Sequence, residues 1–306
     1  MTLWDHYYLP ATVDEALTRL ADSGGTAGGA RVVAGGTDLL LELQQGRKPR
    51  LAALVDVTRI PEMTAIVANG DYIEVGAAVT HTAIVASVVL AQQATSLVES
   101  CGVIGGPQVR NVATLGGNVA HALPAGDGTL SLVALDAEAE IAGPSGREWR
   151  PVRQLFLGPG KSALDLSREL IVRFRMRAAH AELGQASAFK RIMRPQGVAL
   201  PILGLAAWVD LAGGRVRAAR LALGPAGPVP LRAERAEAVL AGRALDVAAL
   251  DDVVDALWAE AQLRTSPHRA TADYRREMVA VLAGRALRLA VRRATTGEVV
   301  PEGIGL

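Results

Sequence analysis

The chain has 306 residues, of which 50% are apolar and 21% charged, with a formal net charge of +1. That length suits two domains, each large enough to bury most of its apolar surface, and the near-neutral charge argues against a nucleic-acid binder that works by neutralising phosphates. No apolar run is long enough to span a bilayer, and the opening MTLWDHYYLP lacks the basic-then-apolar order of a signal peptide, so a cytoplasmic location is expected. In chain order, Thr12-Val13-Asp14-Glu15 has the form of a capping box, and Val13, Ala16, Leu17 and Leu20 then recur at helical spacing. The helix stops before Ser23-Gly24-Gly25, and Gly24 to Gly29 reads as a loop. Arg31 to Ala34 reads as a short buried strand, Gly35-Gly36 as a tight turn, and Thr37-Asp38 as the start of a helix over Leu39, Leu40 and Leu43. A strand, a glycine turn and a helix start bring free N–H groups and a positive dipole end to one place, which suits a diphosphate. No GxGxxG dinucleotide fingerprint accompanies it. The helix runs from Leu39 to Gln45 and a second buried strand from Ala53 to Val57, which predicts a small parallel α/β unit.

From Met63 to Val75 the pattern alternates around Asn69-Gly70-Asp71, the mark of a hairpin whose turn needs positive φ. Thr80 to Leu97 reads as helix, with Ile84, Val88 and Ala91 on one side. Next comes Arg110 to Asp127, RNVATLGGNVAHALPAGD. Gly116 and Gly117 let backbone N–H groups approach an anion, and Thr114 and Asn118 can add side-chain hydrogen bonds. The alternative for this stretch is an ordinary glycine-rich turn. Thr129 to Leu135 then reads as a buried helix, Glu138 to Ile141 as a strand and Gly143-Pro144-Ser145-Gly146 as a turn. Gly158-Pro159-Gly160-Lys161-Ser162 imitates a P-loop, but the first glycine that motif requires would fall at Leu155, so no ATP or GTP site is expected. Glu169 to Met176 alternates as a strand, with Leu170, Val172, Phe174 and Met176 on one face.

The second half reads as three strands, Ala186 to Ile192, Gly204 to Asp210 and Arg215 to Leu223, and then three helices, Leu231 to Leu240, Val247 to Gln262 and Ala270 to Arg293. That order predicts an α+β domain with its helices on one face of the sheet, and Arg292 and Arg293 complement the last helix's dipole. Cys101 is the only cysteine, so the chain makes no internal disulfide and cannot supply the roughly four thiolates of an iron–sulfur cluster. The five histidines show no metal-ligand spacing, and no metal site is expected.

Taken together, the two glycine stretches resemble the FAD-binding (medium) subunits of the molybdenum hydroxylases, the carbon monoxide dehydrogenase and xanthine dehydrogenase family. The family's AGGT-type loop is matched by Ala34-Gly35-Gly36-Thr37, and its TIGGN-type loop with a P-x-x-D ending by Thr114 to Asn118 with Pro124 and Asp127. Further matches lie at Val75-Gly76-Ala77 before Thr80-His81, at Phe189-Lys190 and at Tyr274-Arg275-Arg276, so the resemblance spans nearly the whole chain. It implies an α+β chain with two domains. The first is an FAD-binding α/β domain of the PCMH type over residues 1–177, in two parts at about 1–57 and 58–177. The second is a C-terminal domain over 178–306, a three-stranded antiparallel sheet with a helical bundle.

The resemblance further implies FAD held by Val32-Val33-Ala34-Gly35-Gly36-Thr37-Asp38-Leu39 and by Thr114, Gly116, Gly117, Asn118 and Asp127. Ile104, Ile171 and Lys190 would complete the contacts. Gly35, Gly36, Gly116 and Gly117 would cradle the diphosphate through N–H groups, and Asp127 would accept from a ribose hydroxyl or a ring N–H. Lys190 would place charge near phosphate or reduced flavin, against the alternative of a solvated lysine. Ile104 and Ile171 are either flavin wall or simple core. The implied partners are a 2Fe-2S subunit that delivers electrons, a molybdenum–pterin subunit that feeds it, and an external electron acceptor; no catalytic acid, base or nucleophile is assigned to this chain. Alternatives are a self-sufficient FAD oxidase or dehydrogenase, or a scaffold subunit that has lost FAD. The family's basic residues near Lys190 are followed by an acidic one, whereas this chain has none from Met193 to Pro201, and Arg191 and Arg194 read as a solvated or partner-facing pair. The resemblance therefore does not extend to the guard of the flavin's re face or to the identity of the oxidant.

Overall fold

The computed structural model describes residues 2–23, 28–194 and 200–303. Part of the expected glycine loop, Gly24 to Ala27, and the run Pro195-Gln196-Gly197 lie outside the described residues. The chain opens with β1 (Trp4–Tyr8), α1 (Val13–Ser23), β2 (Ala30–Val33), α2 (Leu39–Gln44) and β3 (Leu51–Asp56). The capping box forms: the Glu15 N–H donates to Thr12 Oγ1, and Glu15 Oε2 accepts from the Ala11 N–H. β2 and β3 pair in parallel as expected, and β1, which the sequence reading does not anticipate, adds to the other edge of β3, also in parallel. Every residue of β3 is buried, the usual fate of a central parallel strand.

Next in the chain are α3 (Pro61–Thr64), β4 (Ile66–Asn69), β5 (Tyr72–Gly76), α4 (His81–Ala86), α5 (Val88–Gln93), α6 (Thr95–Gly102), α7 (Pro107–Arg110), α8 (Leu115–Ala120) and α9 (Asp127–Ala134). Then follow β6 (Glu138–Gly143), β7 (Gly146–Pro151), β8 (Phe156–Gly158), β9 (Lys161–Ser162) and β10 (Leu170–Arg177). The hairpin at Asn69-Gly70 forms with Gly70 at φ +59°, but Met63 belongs to α3, started by Pro61 at its first turn. The helix expected over Thr80 to Leu97 is three pieces. Ser87 ends α4 and its hydroxyl accepts from the Leu90 N–H to start α5, which turns Val88 outward to 69% exposure. The P-loop imitation is a small hairpin of β8 and β9 with Gly160 at φ +70°. A five-stranded antiparallel sheet, β4-β5-β10-β6-β7, buries Ile73, Val75, Ile141, Phe174 and Met176 in one core.

The last part holds β11 (Gln185–Met193), β12 (Pro201–Ala212), β13 (Arg215–Gly224), β14 (Leu231–Arg232), α10 (Glu234–Leu240), α11 (Val247–Glu260) and α12 (Ala272–Thr296). Its sheet has four strands rather than the expected three, because Leu231 and Arg232 pair with Leu223 and Ala222 before α10 begins. Two residues carry no readable periodicity, so the sequence pattern merges this strand with the helix that follows. The helices α10, α11 and α12 do cover one face of the sheet, but the other face is not free. Along β12, Leu205, Ala207 and Val209 join the core under α12, while Ala206 and Trp208 join the core that also holds Leu97 of α6 and Leu130 of α9. Period-2 alternation thus welds this sheet between two helical layers, each fully buried Leu or Val contributing about 2 kcal/mol.

A buried ion pair reinforces that junction. Glu99 on α6 and Arg293 on α12 meet at 2.6 Å with both side chains only 1% exposed. Glu99 also accepts from the N–H groups of Phe189 and Glu302, each at 2.7 Å, and Arg293 donates to the Ser187 carbonyl at 2.8 Å. Arg293 therefore ties the last helix to α6 and β11, beyond any complement to its own helix dipole. Removing one partner of such a pair costs about 3–5 kcal/mol, because the other is left charged and buried.

Candidate functional site

The first glycine loop connects β2 to α2. The Val57 N–H closes on the Val33 carbonyl at 3.0 Å, and Gly36 then takes φ +66°, a conformation that favours glycine. Asp38 occupies the N-cap position without a side-chain capping bond. The carbonyls of Gly36 and Asp38 accept from Leu40 and Glu42, both at 2.9 Å. Among the described residues, however, none accepts a hydrogen bond from the backbone N–H of Gly35, Gly36, Thr37 or Asp38. Four consecutive donors stand unused beside the short helix α2. Because α2 has only six residues, these donors rather than a long dipole give the loop its pull on an anion.

The second glycine loop differs. Thr114 is the N-cap of α8 and its Oγ1 accepts from the Gly117 N–H at 3.1 Å. The Leu115 N–H goes to the Val79 carbonyl at 3.1 Å, that of Gly116 to the Ala77 carbonyl at 2.8 Å, and that of Asn118 to the Thr114 carbonyl at 3.0 Å. The expected N–H cradle at Gly116 and Gly117 is thus already closed by the protein's own acceptors. Gly116 serves packing instead: a Cβ there would lie 2.6 Å from the Ala77 carbonyl oxygen. Asn118 Oδ1 accepts from the N–H and hydroxyl of Thr129, both at 3.1 Å, and so pins α8 to α9. The two loops touch. A Cβ on Gly35 would fall 2.1 Å from the Val112 carbonyl, and His121 at the end of α8 lies 3.8 Å from the Asp38 carboxylate. Of the other residues expected in the first stretch, Val33 is buried against Leu54, while Val32, Ala34 and Leu39 are half-buried.

Asp127 opens α9 and is 4% exposed. Its Oδ2 meets Arg191 Nη1 at 2.5 Å, while its Oδ1 is buried with no hydrogen-bond partner. Burial pushes its pKa up to about 6, against the pull of Arg191 and the more distant Arg269. Arg191, expected with Arg194 as a solvated or partner-facing pair, is a half-buried residue whose side chain is only 5% exposed, whereas Arg194 is on the surface, donating to the His268 carbonyl. The missed signal was alternation on β11: Arg191 lies two residues after buried Phe189 and so shares its inward face. The same alternation sends Lys190 the other way. Its ammonium sits 2.9 Å from Glu302, which Arg292 also holds at 2.7 Å, so Lys190 and Asp127 are not brought together. Glu302 is kept below the usual carboxylate range first by its hydrogen bond from Lys190.

Ile171 is a core residue beside a bulge in β10, and Ile104 is half-buried in the turn whose carbonyls at Ile104 and Gly105 accept from Arg110. His81, under the second loop, is 1% exposed with Nδ1 lacking a partner, and its backbone N–H donates to the Ala113 carbonyl at 3.0 Å. Burial, helped by Arg110, lowers its pKa to about 4 and keeps it neutral. Among the described residues, no group of three or more His, Cys, Asp or Glu side chains is placed to hold a metal, and no helix is long and apolar enough to cross a membrane. The four free donors at Gly35 to Asp38 and the orphan Asp127 Oδ1 fit a group that carries phosphates together with O–H or N–H donors.

Comparison with known proteins identifies the family. Residues 3–176 match the family model described as the FAD binding domain in molybdopterin dehydrogenase, and residues 187–290 match the CO dehydrogenase flavoprotein C-terminal domain. The chain is 29% identical to the putative xanthine dehydrogenase FAD-binding subunit of Escherichia coli (strain K12), over 94% of this chain and 96% of that one. It is 31% identical to the carbon monoxide dehydrogenase medium chain of Hydrogenophaga pseudoflava, over 94% and 97% of the two chains. A solved structure of carbon monoxide dehydrogenase from that organism, lacking the Mo-pyranopterin moiety of its cofactor, superposes with a TM-score of 0.87 over 94% of this chain and 97% of that one, at 31% identity. The chain therefore belongs to the FAD-binding subunits of the molybdenum hydroxylases, an oxidoreductase family that includes the carbon monoxide and xanthine dehydrogenases, and its cofactor is FAD.

Proposed function

We propose that this chain is the electron-transfer subunit of a molybdenum-containing hydroxylase, taking electrons from a separate 2Fe-2S subunit and passing them to an external acceptor. A molybdenum–pterin subunit would oxidise the substrate and feed the cluster. The observations that support this reading are the free N–H groups from Gly35 to Asp38 and, separately, the buried, unpaired Oδ1 of Asp127. FAD, when bound, would take up electrons singly from a one-electron cluster and release them in pairs to a two-electron acceptor, since a flavin exchanges electrons in either number. The chain's own residues bind and orient. Gly35 to Asp38 would donate to the diphosphate, Asp127 would accept from an O–H or N–H of the cofactor, and the second loop would hold the first in place through Gly35 and Val112. Thr114, Gly116, Gly117 and Asn118 then act chiefly as the support of that cradle, and Ile104 as an apolar wall. The single cysteine, buried in α6, cannot hold a cluster, which supports a second subunit for the iron and sulfur.

The reading divides the chain at residues 1–177, with parts at 1–57 and 58–177, and 178–306, and it places the complex in the cytoplasm, where a lone reduced thiol is ordinary. Purification of the tagged chain from its own cells tests it. Two further subunits, iron and molybdenum in the preparation, with FAD released on denaturation, are the expected result. A lone flavoprotein that oxidises a substrate by itself would overturn the proposal.

A further inference from the structure

Two polar atoms near Asp127 are buried and unpaired, the carboxylate Oδ1 and Arg191 Nε. A native chain leaves such groups without partners only rarely, since each carries an uncompensated desolvation cost. They belong to neighbouring side chains, one an acceptor and the other a donor. The rest of the Arg191 guanidinium is engaged: Nη1 binds Asp127 Oδ2 at 2.5 Å, Nη2 donates to the Val103 carbonyl, and the Met193 sulfur lies 3.2 Å from Nη2. One planar group therefore ties the turn that carries Ile104 to the first residue of α9. Lysine lacks the fork to do both at once.

We infer that Arg191 is a positioning residue of the cofactor site, fixing the Asp127 carboxylate through Oδ2 and the Val103–Ile104 turn through its carbonyl, so that Oδ1 is aimed at an O–H or N–H of FAD. This rests on the reading of Asp127 as a cofactor contact. A carboxylate held by one oxygen is restricted in its rotation, and its second oxygen is then an acceptor of preferred direction, desolvated in advance. The charged and titratable groups that face Asp127 are Arg191 from β11, Arg269 from the segment before α12 and the Cys101 thiol from α6. The same carboxylate that burial drives toward its neutral form is kept available as an anion chiefly by Arg191.

The full chain, with whatever subunits purify with it, is stripped of flavin and titrated with FAD by fluorescence from pH 5 to 8, for the parent and for Arg191→Met, Arg191→Lys, Asp127→Asn and the Arg191→Met/Asp127→Asn double variant. The expected result is a roughly tenfold or larger loss of affinity at pH 7 in both single neutral variants, about 1.4 kcal/mol. In the double variant the loss should equal that of Asp127→Asn alone, because Arg191 acts through Asp127. Arg191→Met should also move the fall in affinity on acidification to higher pH, a change that a merely structural role would not produce, and Arg191→Lys should restore part of it. If Asp127→Asn binds FAD weakly while Arg191→Met binds it like the parent, the inference is overturned and the cofactor reading stands. If Asp127→Asn binds FAD like the parent, the Asp127 assignment itself is wrong. Should Arg191→Met not fold, Arg191→Lys decides alone: lower affinity with the acid fall still at higher pH than the parent's supports positioning, and parent affinity at every pH, or a loss with the parent's pH profile, rejects it.

Discussion

The two glycine loops look alike in sequence and do opposite things in the structure. Ala34-Gly35-Gly36-Thr37 keeps its backbone donors open, whereas Thr114-Leu115-Gly116-Gly117-Asn118 turns all of its N–H groups from Leu115 onward to acceptors within the protein. The difference lies in what surrounds them. The second loop runs beside the chain that leaves β5, whose Ala77 and Val79 carbonyls take its donors, while the first meets the Val112 carbonyl opposite a glycine α-carbon rather than an N–H. A glycine pair is thus a licence for close backbone approach. What approaches, a ligand or the protein itself, is settled by neighbours far away in sequence.

Gly35→Ala should produce the largest effect, because it attacks the contact between the loops. Its Cβ would fall 2.1 Å from the Val112 carbonyl oxygen, a backbone atom that cannot swing aside. Overpacking of this kind costs about 1–3 kcal/mol, and the first loop must shift by an amount that disturbs its donors. FAD affinity should drop roughly a hundredfold, the loss that a displacement of about 1 Å can cause in an aligned site. Parent affinity in a variant that folds would show that the donors of Gly35 to Asp38 do not hold the cofactor.

Acid titration separates the two regions in another way. His81 lies under the second loop with a native pKa of about 4 against an ordinary 6.5, so the native state binds fewer protons than the unfolded chain in that window. Stability from this group is lost as pH falls from 6.5 to 4, by about 3 kcal/mol in all. Asp127 has the opposite sign. Its native pKa of about 6 lies above the ordinary 3.8, so the flavin-free native state binds more protons, and stability from this group rises as pH falls through the interval. The two slopes largely offset each other in the parent. Flavin-free Asp127→Asn should therefore lose stability on acidification from pH 6.5 to 4 more steeply than the parent in urea unfolding, and equal slopes would remove Asp127 from this account.

Much of this organisation is legible in the chain. The strand, glycine turn and helix over Arg31 to Leu41 could be read because hydrophobic spacing changes period there and Gly35-Gly36 punctuates it, and the loops' order carried the family resemblance. The fate of the Gly116 and Gly117 donors could not be read, since it depends on Ala77 and on a Thr114 hydroxyl that sequence alone leaves free to cap or to bind. The Glu99–Arg293 pair spans 194 residues, and no local pattern announces a contact of that range. Arg191 is an intermediate case. Its alternation with Phe189 was present in the sequence, but the basic neighbours Lys190 and Arg194 made the run look like a solvated patch.

Gly116→Ala should have a smaller and different effect from Gly35→Ala. The added Cβ would sit 2.6 Å from both the Cβ and the carbonyl oxygen of Ala77, inside the protein and away from the open donors. Thermal unfolding should register a loss of about 1–3 kcal/mol, while the folded fraction binds FAD within a factor of a few of the parent. A large affinity loss without any loss of stability would mean that Gly116 touches the cofactor after all.

The smallest expected effect is the one that discriminates best. Thr114 Oγ1 caps α8 by accepting the Gly117 N–H at 3.1 Å, and Thr114→Ala removes that acceptor. An N-cap of this type is worth about 1 kcal/mol, which Thr114→Ser should restore because serine offers the same oxygen. If the second loop is a support, Thr114→Ala lowers stability by that amount and leaves FAD affinity close to the parent's, since the open donors belong to the other loop. If instead affinity drops tenfold while unfolding is unchanged, the Thr114 hydroxyl is a direct cofactor contact, its O–H donating to FAD. Thr114 is the residue where the two accounts of the loops part, because its oxygen already accepts the Gly117 N–H and only its O–H is left to donate to a phosphate, a donation that Thr114→Ala removes and Thr114→Ser keeps.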